Sequence, residues 1–178
     1  MKFLELAKRR QSVRKYLSKP LPREIIDRCL EAARLAPSAC NSQPWSFIVV
    51  DDEKIKNKIV AEAFSGIYAL NTFTRTAACL VIAVTERSRY TACLGGYLKG
   101  VQYSLIDIGI ACEHFILQAA EEGLGTCWLG WFDEKAVKKI LDIPKNKKID
   151  VIISAGYPAD ETIREKIRKP LNEIRRFC

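Results

Sequence analysis

The sequence predicts an α+β fold in which a small sheet is layered between helices. Short apolar runs rich in branched residues, at 46–50, 78–84 and 151–155, are interspersed with longer stretches whose apolar residues recur at helical spacing. The chain also lacks an opening strand followed by a G-x-G-x-x-G turn, which excludes a dinucleotide-binding Rossmann unit. Its one similar string, Gly123-Leu-Gly125, follows a helical stretch and so stands in the wrong context. With 178 residues, no linker and no internal repeat, a single domain over residues 1–178 is expected.

Each element has a local reason. Pro20 and Pro22 punctuate the approach to a first helix, Glu24 suits its positive end, and Ile25, Ile26, Cys29, Leu30 and Ala33 recur at helical spacing until Pro37 stops it. A loop from Pro37 to Gln43 leads to the strand at 46–50, and Asp51-Asp52 open a second amphipathic helix through Ile55, Ile59, Val60 and Ala63. The run at 78–84 reads as a central strand because it is apolar at every position. Residues 87–100 carry no clear pattern. From 101 to 122 the pattern is helical and deeply apolar, ended by Gly123 and Gly125. A short strand at 126–129 leads through Gly130 to Asp133, an N-cap for a helix at 134–141 that Pro144 closes. After the strand at 151–155 come Gly156-Tyr157-Pro158 and a basic tail.

The composition bounds the function. With 48% hydrophobic and 28% charged residues, the chain is a folded protein rather than a disordered one. No apolar run reaches the length of about 18 residues that spans a bilayer, and residues 1–10 do not resemble a secretory signal, so a cytoplasmic protein with no membrane partner is expected. Seven cysteines without C-x-x-C or a histidine pair argue against a disulfide framework and a zinc site. Cys29, Cys79 and Cys112 read as core residues; Cys40 and Cys178 stay open. The net charge of +8 fits nucleic acid, an acidic membrane surface or anionic small molecules, but the basic clusters lack the interleaved aromatics of a single-strand platform.

Two segments carry complementary chemistry. In an extended Arg10-Gln-Ser12-Val-Arg14, residues at i, i+2 and i+4 share a face and present two guanidinium forks and a hydroxyl, a set that suits a phosphate ester with a polyol arm. The segment from Ala36 to Trp45 supplies small, rigid and amide-bearing residues suited to a flat polar ring. The single histidine, His114, lies within a helical pattern and reads as an interior or interface residue, so triads and histidine metal sites have little to draw on. If the chain is an enzyme, an organic cofactor performs the difficult step.

In order, R-x-S-x-R at Arg10, A-P-S-x-x-N-x-Q-P-W from Ala36, G-L-G-T from Gly123 with W-L-G-W-F from Trp128, G-Y-P from Gly156 and K-x-R from Lys166 resemble the FMN-dependent nitroreductase family almost end to end. The resemblance implies a three-layer α-β-α fold with a central, mostly antiparallel sheet and an intertwined homodimer with FMN at the interface. It assigns Arg10, Lys166 and Arg168 to the phosphate, Ser12 to the ribityl or pyrimidine edge, and Arg14 to the ring near N1 and O2. Pro37, Ser38, Ala39 and Asn41 match a loop that reaches the flavin across the dimer. Leu129 and Gly130 match a segment whose backbone faces N5, and Asn71, with Arg75 behind it, matches the pyrimidine edge; a turn asparagine is an equal reading. For Gln43 and Trp45, direct contact stands beside a structural alternative, a buried amide and a packed aromatic.

The activity so implied is ping-pong: NADH or NADPH delivers hydride to FMN, and a small electron-poor acceptor such as a nitroaromatic or quinone then takes its place. No catalytic side chain is named, because solvent or the flavin can supply protons. The chain is short for the family, which leaves residues 87–100 as the expected seat of acceptor specificity. Two other readings remain, an FMN-storing or sensing protein without turnover and a basic nucleic-acid-binding domain.

Overall fold

The structure, a computed structural model, describes residues 2–86 and 100–178; of the stretch expected to set specificity, residues 87–99 lie outside the described residues. In chain order it contains α1 (Phe3–Arg9), α2 (Arg23–Arg34), β1 (Trp45–Val50), α3 (Glu53–Ala63), β2 (Cys79–Thr85), α4 (Tyr103–Glu121), β3 (Gly125–Leu129), α5 (Glu134–Ile140), β4 (Lys148–Gly156) and α6 (Leu171–Ile174). Two 3-10 segments, Ala39–Asn41 and Gly66–Thr76, fill the loops after α2 and α3.

The strands form one antiparallel sheet of order β1-β2-β4-β3. Alternation along β2 builds both helical layers. Cys79, Val81 and Ala83 face a core with Cys29 and Ala33 of α2 and Ile108, Ala111 and Phe115 of α4. Leu80, Ile82 and Val84 face a second core with Ile59, Val60 and Ala63 of α3 and Val137 of α5. Burial on both faces explains why this strand is apolar from Cys79 to Val84. On β4 the alternation slips at Asp150: Ile149 and Val151 are of the same parity yet face opposite cores, because the pairing shifts between Ala83 and Val84. Thr85 Oγ1 donates to the displaced Asp150 carboxylate.

Sequence and structure agree at the helix starts. Asp52 caps α3 by accepting from the Ile55 amide at 2.9 Å, and Asp133 caps α5 by accepting from the Lys135 and Ala136 amides. Pro22 occupies the N-cap of α2. β4 begins three residues earlier than expected and β1 one residue earlier. Neither α1 nor the Gly66–Thr76 segment was expected, and α1 has no buried residue to betray a core face. Cys29, Cys79 and Cys112 are buried, and burial pushes their thiols up to about 12. His114 Nδ1 lies 3.2 Å from the Ala32 carbonyl, tying α4 to α2. Among the described residues, no helix is long and apolar enough to cross a membrane.

The segment ahead of α2 runs extended along the sheet's end. The Val13 amide donates to the Thr126 carbonyl at 2.8 Å, that of Leu17 to Tyr157 at 2.9 Å, and that of Ala159 back to Lys15 at 3.0 Å. Tyr16 is buried, its hydroxyl 2.8 Å from Ser154 Oγ. Gly125 permits the close approach: a Cβ there would lie 2.7 Å from the Val13 side chain.

Candidate functional site

Because the opening segment is pinned to β3 and β4, Arg10, Ser12 and Arg14 lie beside the chain's last extended stretch, about 150 residues away in sequence. Gln11 is the clasp. Its Nε2 donates to the Thr162 carbonyl at 2.8 Å, and its Oε1 accepts from the Arg164 amide and from Arg164 Nε at 3.2 and 3.1 Å. The Arg164 guanidinium also donates to the Ser12 carbonyl, and Lys166 Nζ donates to that of Arg10.

Four cations therefore converge: Arg10, Arg164, Lys166 and Arg168. Burial lowers the Lys166 ammonium from its ordinary value, and the charges of Arg10, Arg168 and Arg164 lower it further. Among the described residues none of the four takes part in an ion pair. Glu113 on α4 feels the Arg10 charge, but burial holds its carboxyl above the usual range. An open cavity of about 290 Å³ adjoins the clasp, lined in part by Ser12, Arg14 and Arg164. The Ser12 hydroxyl meets the Cys127 thiol, which burial pushes up while Arg14 and Ser12 oppose the rise.

The loop after α2 is the most contorted described backbone. Cys40, Asn41 and Gln43 have φ of 52°, 51° and 45°, three left-handed non-glycine residues within four positions. Inside the loop, the Gln43 amide donates to Ser38 Oγ at 2.9 Å and its side-chain Nε2 to Asn41 Oδ1 at 3.0 Å. Gln43 is exposed, which corrects the buried-amide alternative, whereas Trp45 is half-buried and packs against the α2–α4 core. Pro37 and Asn41 face outward, and Ser38 and Ala39 are half-buried.

A third group forms around Gly130. Asn71 Nδ2 donates to the Trp131 carbonyl at 2.5 Å, and Trp131 Nε1 donates to the Ile67 carbonyl at 3.0 Å. The Tyr68 and Trp131 rings stack tilted, 5.3 Å apart. Leu129 is buried, with its side chain in the α3–α5 core. Gly130 is exposed with nothing within 4 Å of where a Cβ would be. Arg75 stands exposed on the same 3-10 segment.

The sequence reading missed Gln11, Arg164 and Asp107. The first two reveal themselves only through their long-range pairing. Asp107 had a signal, an acid four residues before Ala111 on the apolar face of α4; it is 3% exposed and accepts from the Ala39 amide at 3.0 Å.

The profile of the nitroreductase family matches residues 7–157. A protein of Archaeoglobus fulgidus, named "Putative NADH dehydrogenase/NAD(P)H nitroreductase", is 36% identical over 162 residues, covering 89% of this chain and 86% of its own. An iodotyrosine deiodinase of Thermotoga neapolitana is 29% identical over 98% of this chain and 96% of its own. A nitroreductase family protein of Clostridium novyi NT superposes with a TM-score of 0.79 at 31% identity, over 93% of this chain and 89% of its own. A protein of Exiguobacterium sibiricum 255-15, solved in complex with FMN, superposes with a TM-score of 0.82 at 23% identity over 100% of this chain and 98% of its own, a likeness of fold. The chain belongs to the nitroreductase family and has its α+β fold.

Proposed function

We propose that the chain is an FMN-dependent NAD(P)H oxidoreductase that works as a homodimer. The observation that carries this reading is the unpaired convergence of Arg10, Arg164, Lys166 and Arg168. A phosphate monoester of charge about −2 fits that donor set, because it would stabilise the Lys166 ammonium that burial and neighbouring cations disfavour and accept charge-assisted bonds from several cations at once.

Arg10, Lys166 and Arg168 would hold the phosphate, with Arg164 fixing their backbone through Gln11 and Ser12. Ser12 would meet the ribityl or pyrimidine edge, and Arg14 would place a fixed positive charge where negative charge gathers on the ring. Asn71, tied to the Trp131 carbonyl, would meet the pyrimidine edge, and the backbone at Leu129 and Gly130 would face the ring near N5, where the glycine leaves room for close approach. Pro37, Ser38, Ala39 and Asn41 would meet the flavin of the partner subunit. FMN, when bound, supplies a two-electron carrier between a nicotinamide and an electron-poor acceptor. No side chain of this chain is needed as an acid or base.

The dimer is supported by apolar side chains left on the surface. Ile163, Ile167, Leu171, Ile174 and Phe177 of the C-terminal arm are exposed, Ile167 by 93%, as are Phe3 and Leu4 of α1. Sedimentation velocity tests this: a dimer is expected, and a monomer that still holds FMN refutes it.

The purified protein should show flavin absorption that bleaches anaerobically with NADH or NADPH. A colourless preparation that cannot be loaded with FMN refutes the proposal, and bands that do not bleach leave a storage or sensor protein. Nitroaromatics, quinones and, given the deiodinase relative, halogenated phenols are the acceptors to screen.

A further inference from the structure

We infer that Asp107 is the positioning residue for the ring-facing loop, holding Ser38 and Ala39 in place from the core side. The inference rests on the site reading proposed above. Asp107 sits on the face of α4 that also carries Ala111 and Phe115, and every other buried residue of that helix is apolar. A buried carboxyl at such a position is costly unless its acceptor capacity is used. Among the described residues no cation pairs with it. Its two oxygens instead face the loop: the Ala39 amide donates to Oδ1 at 3.0 Å, and Ser42 Oγ lies 3.5 Å from Oδ2.

These contacts differ in kind from the loop's other bonds. Asn41 N to Ser38 O, Ser42 N to Ala39 O, Gln43 N to Ser38 Oγ and Gln43 Nε2 to Asn41 all close within the loop, and the Gln43 carbonyl accepts from adjacent Trp45. They shape the loop without locating it. Among the described residues, Asp107 alone ties residues 38–43 by hydrogen bonds to the body of the fold. Because Cys40 and Gln43 hold left-handed φ values that are unfavourable for their side chains, the loop has an incentive to relax once the tether is cut. Relaxation would carry Ser38 and Ala39 away from the ring while leaving the phosphate cluster intact.

The test pairs amide hydrogen exchange of the FMN-free protein with FMN affinity by fluorescence titration, in Asp107→Ala, Asp107→Asn and Ser42→Ala. In Asp107→Ala, exchange over 38–43 should rise about tenfold and FMN affinity fall about tenfold, with exchange in the rest of α4 unchanged. Asp107→Asn keeps an acceptor for the Ala39 amide and should stay within about threefold of wild type in both readouts. Ser42→Ala, which leaves the helix untouched, should raise loop exchange about twofold.

Unchanged loop exchange in Asp107→Ala overturns the inference, as does faster exchange without a loss of FMN affinity. Loss of protection spread through α4 marks Asp107 as a general structural residue and overturns it too. A wild-type protein that takes up no FMN overturns the reading of the site itself. A wild-type protein that binds FMN, with Asp107→Ala binding it equally, overturns this inference alone.

Discussion

Two clusters of positive charge in this molecule are built in opposite ways. At the α5–β4 end, Lys138 and Lys148 both converge on Glu134, at 2.8 and 2.5 Å, and the Ile149 amide adds a third bond at 3.0 Å. Burial alone would raise the Glu134 carboxyl, but these three donors outweigh it and hold it down to about 2. At the other cluster Arg10, Arg164, Lys166 and Arg168 face one another without an ion pair among the described residues, and their own repulsion helps to depress Lys166. The first cluster is neutralised by direct ion pairs; in the second the nearest carboxylates, Glu113 beside Arg10 and Asp160 beside Arg164, act on the cations without forming one among the described residues. The basic groove at α5 illustrates the first case: it is wide, about 930 Å³, yet Lys138 along it is already engaged with Glu134.

The contrast can be broken at several points. Replacing Arg10 and Arg168 together by alanine should weaken FMN binding by about a hundredfold or more, the loss of two charge-assisted bonds, without lowering the stability of the FMN-free protein. Fluorescence titration and thermal melts check both halves, and unchanged affinity would show that phosphate binds elsewhere. Glu134→Ala should do the reverse, costing about 2 kcal/mol of stability and leaving FMN affinity untouched. Its pH dependence has a definite sign. A carboxyl depressed in the folded state stabilises above the ordinary value of 4.5, and that contribution is lost as pH falls from there toward about 2, so acid unfolding of Glu134→Ala should be shallower over this window than that of wild type.

Gly125→Ala places a Cβ against Val13 and should cost about 1–3 kcal/mol by lifting the Arg10–Arg14 segment from β3, with FMN affinity falling alongside. The smallest effect concerns Lys166. Because its folded value lies below 10.5, the free protein gains stability as pH rises through the window just under that value, while a phosphate, which favours the charged ammonium, binds more weakly over the same window. The expected loss of affinity is under about tenfold, and Lys166→Arg should flatten it.

Much of the fold was legible because each layer leaves a period in the sequence. β2 is apolar from Cys79 to Val84 since both faces are covered, and α3 and α5 announce their starts through Asp52 and Asp133. α1 was not legible, because a helix that buries nothing in its own chain carries no apolar stripe directed inward. Nor was the Gly66–Thr76 segment, whose 3-10 turns follow neither the helical nor the strand period. Within the site, Arg10, Lys166 and Arg168 were found as motifs and are brought together by the fold. Gln11 and Arg164, which do the joining, were not, since a pairing across 153 residues has no local signature. Asp107 stood in plain view as an acid in an apolar stripe, but its partner is a backbone amide in a loop whose left-handed turns no motif encodes.

The central claim is that the cations without ion-pair partners are a phosphate site, and it is tested most directly by titrating the FMN-free wild-type protein with FMN and with riboflavin, which differ only by that phosphate. FMN should bind at least about a hundredfold more tightly, corresponding to about 2.7 kcal/mol from the phosphate. Equal affinity for the two, or binding of neither, would contradict the claim.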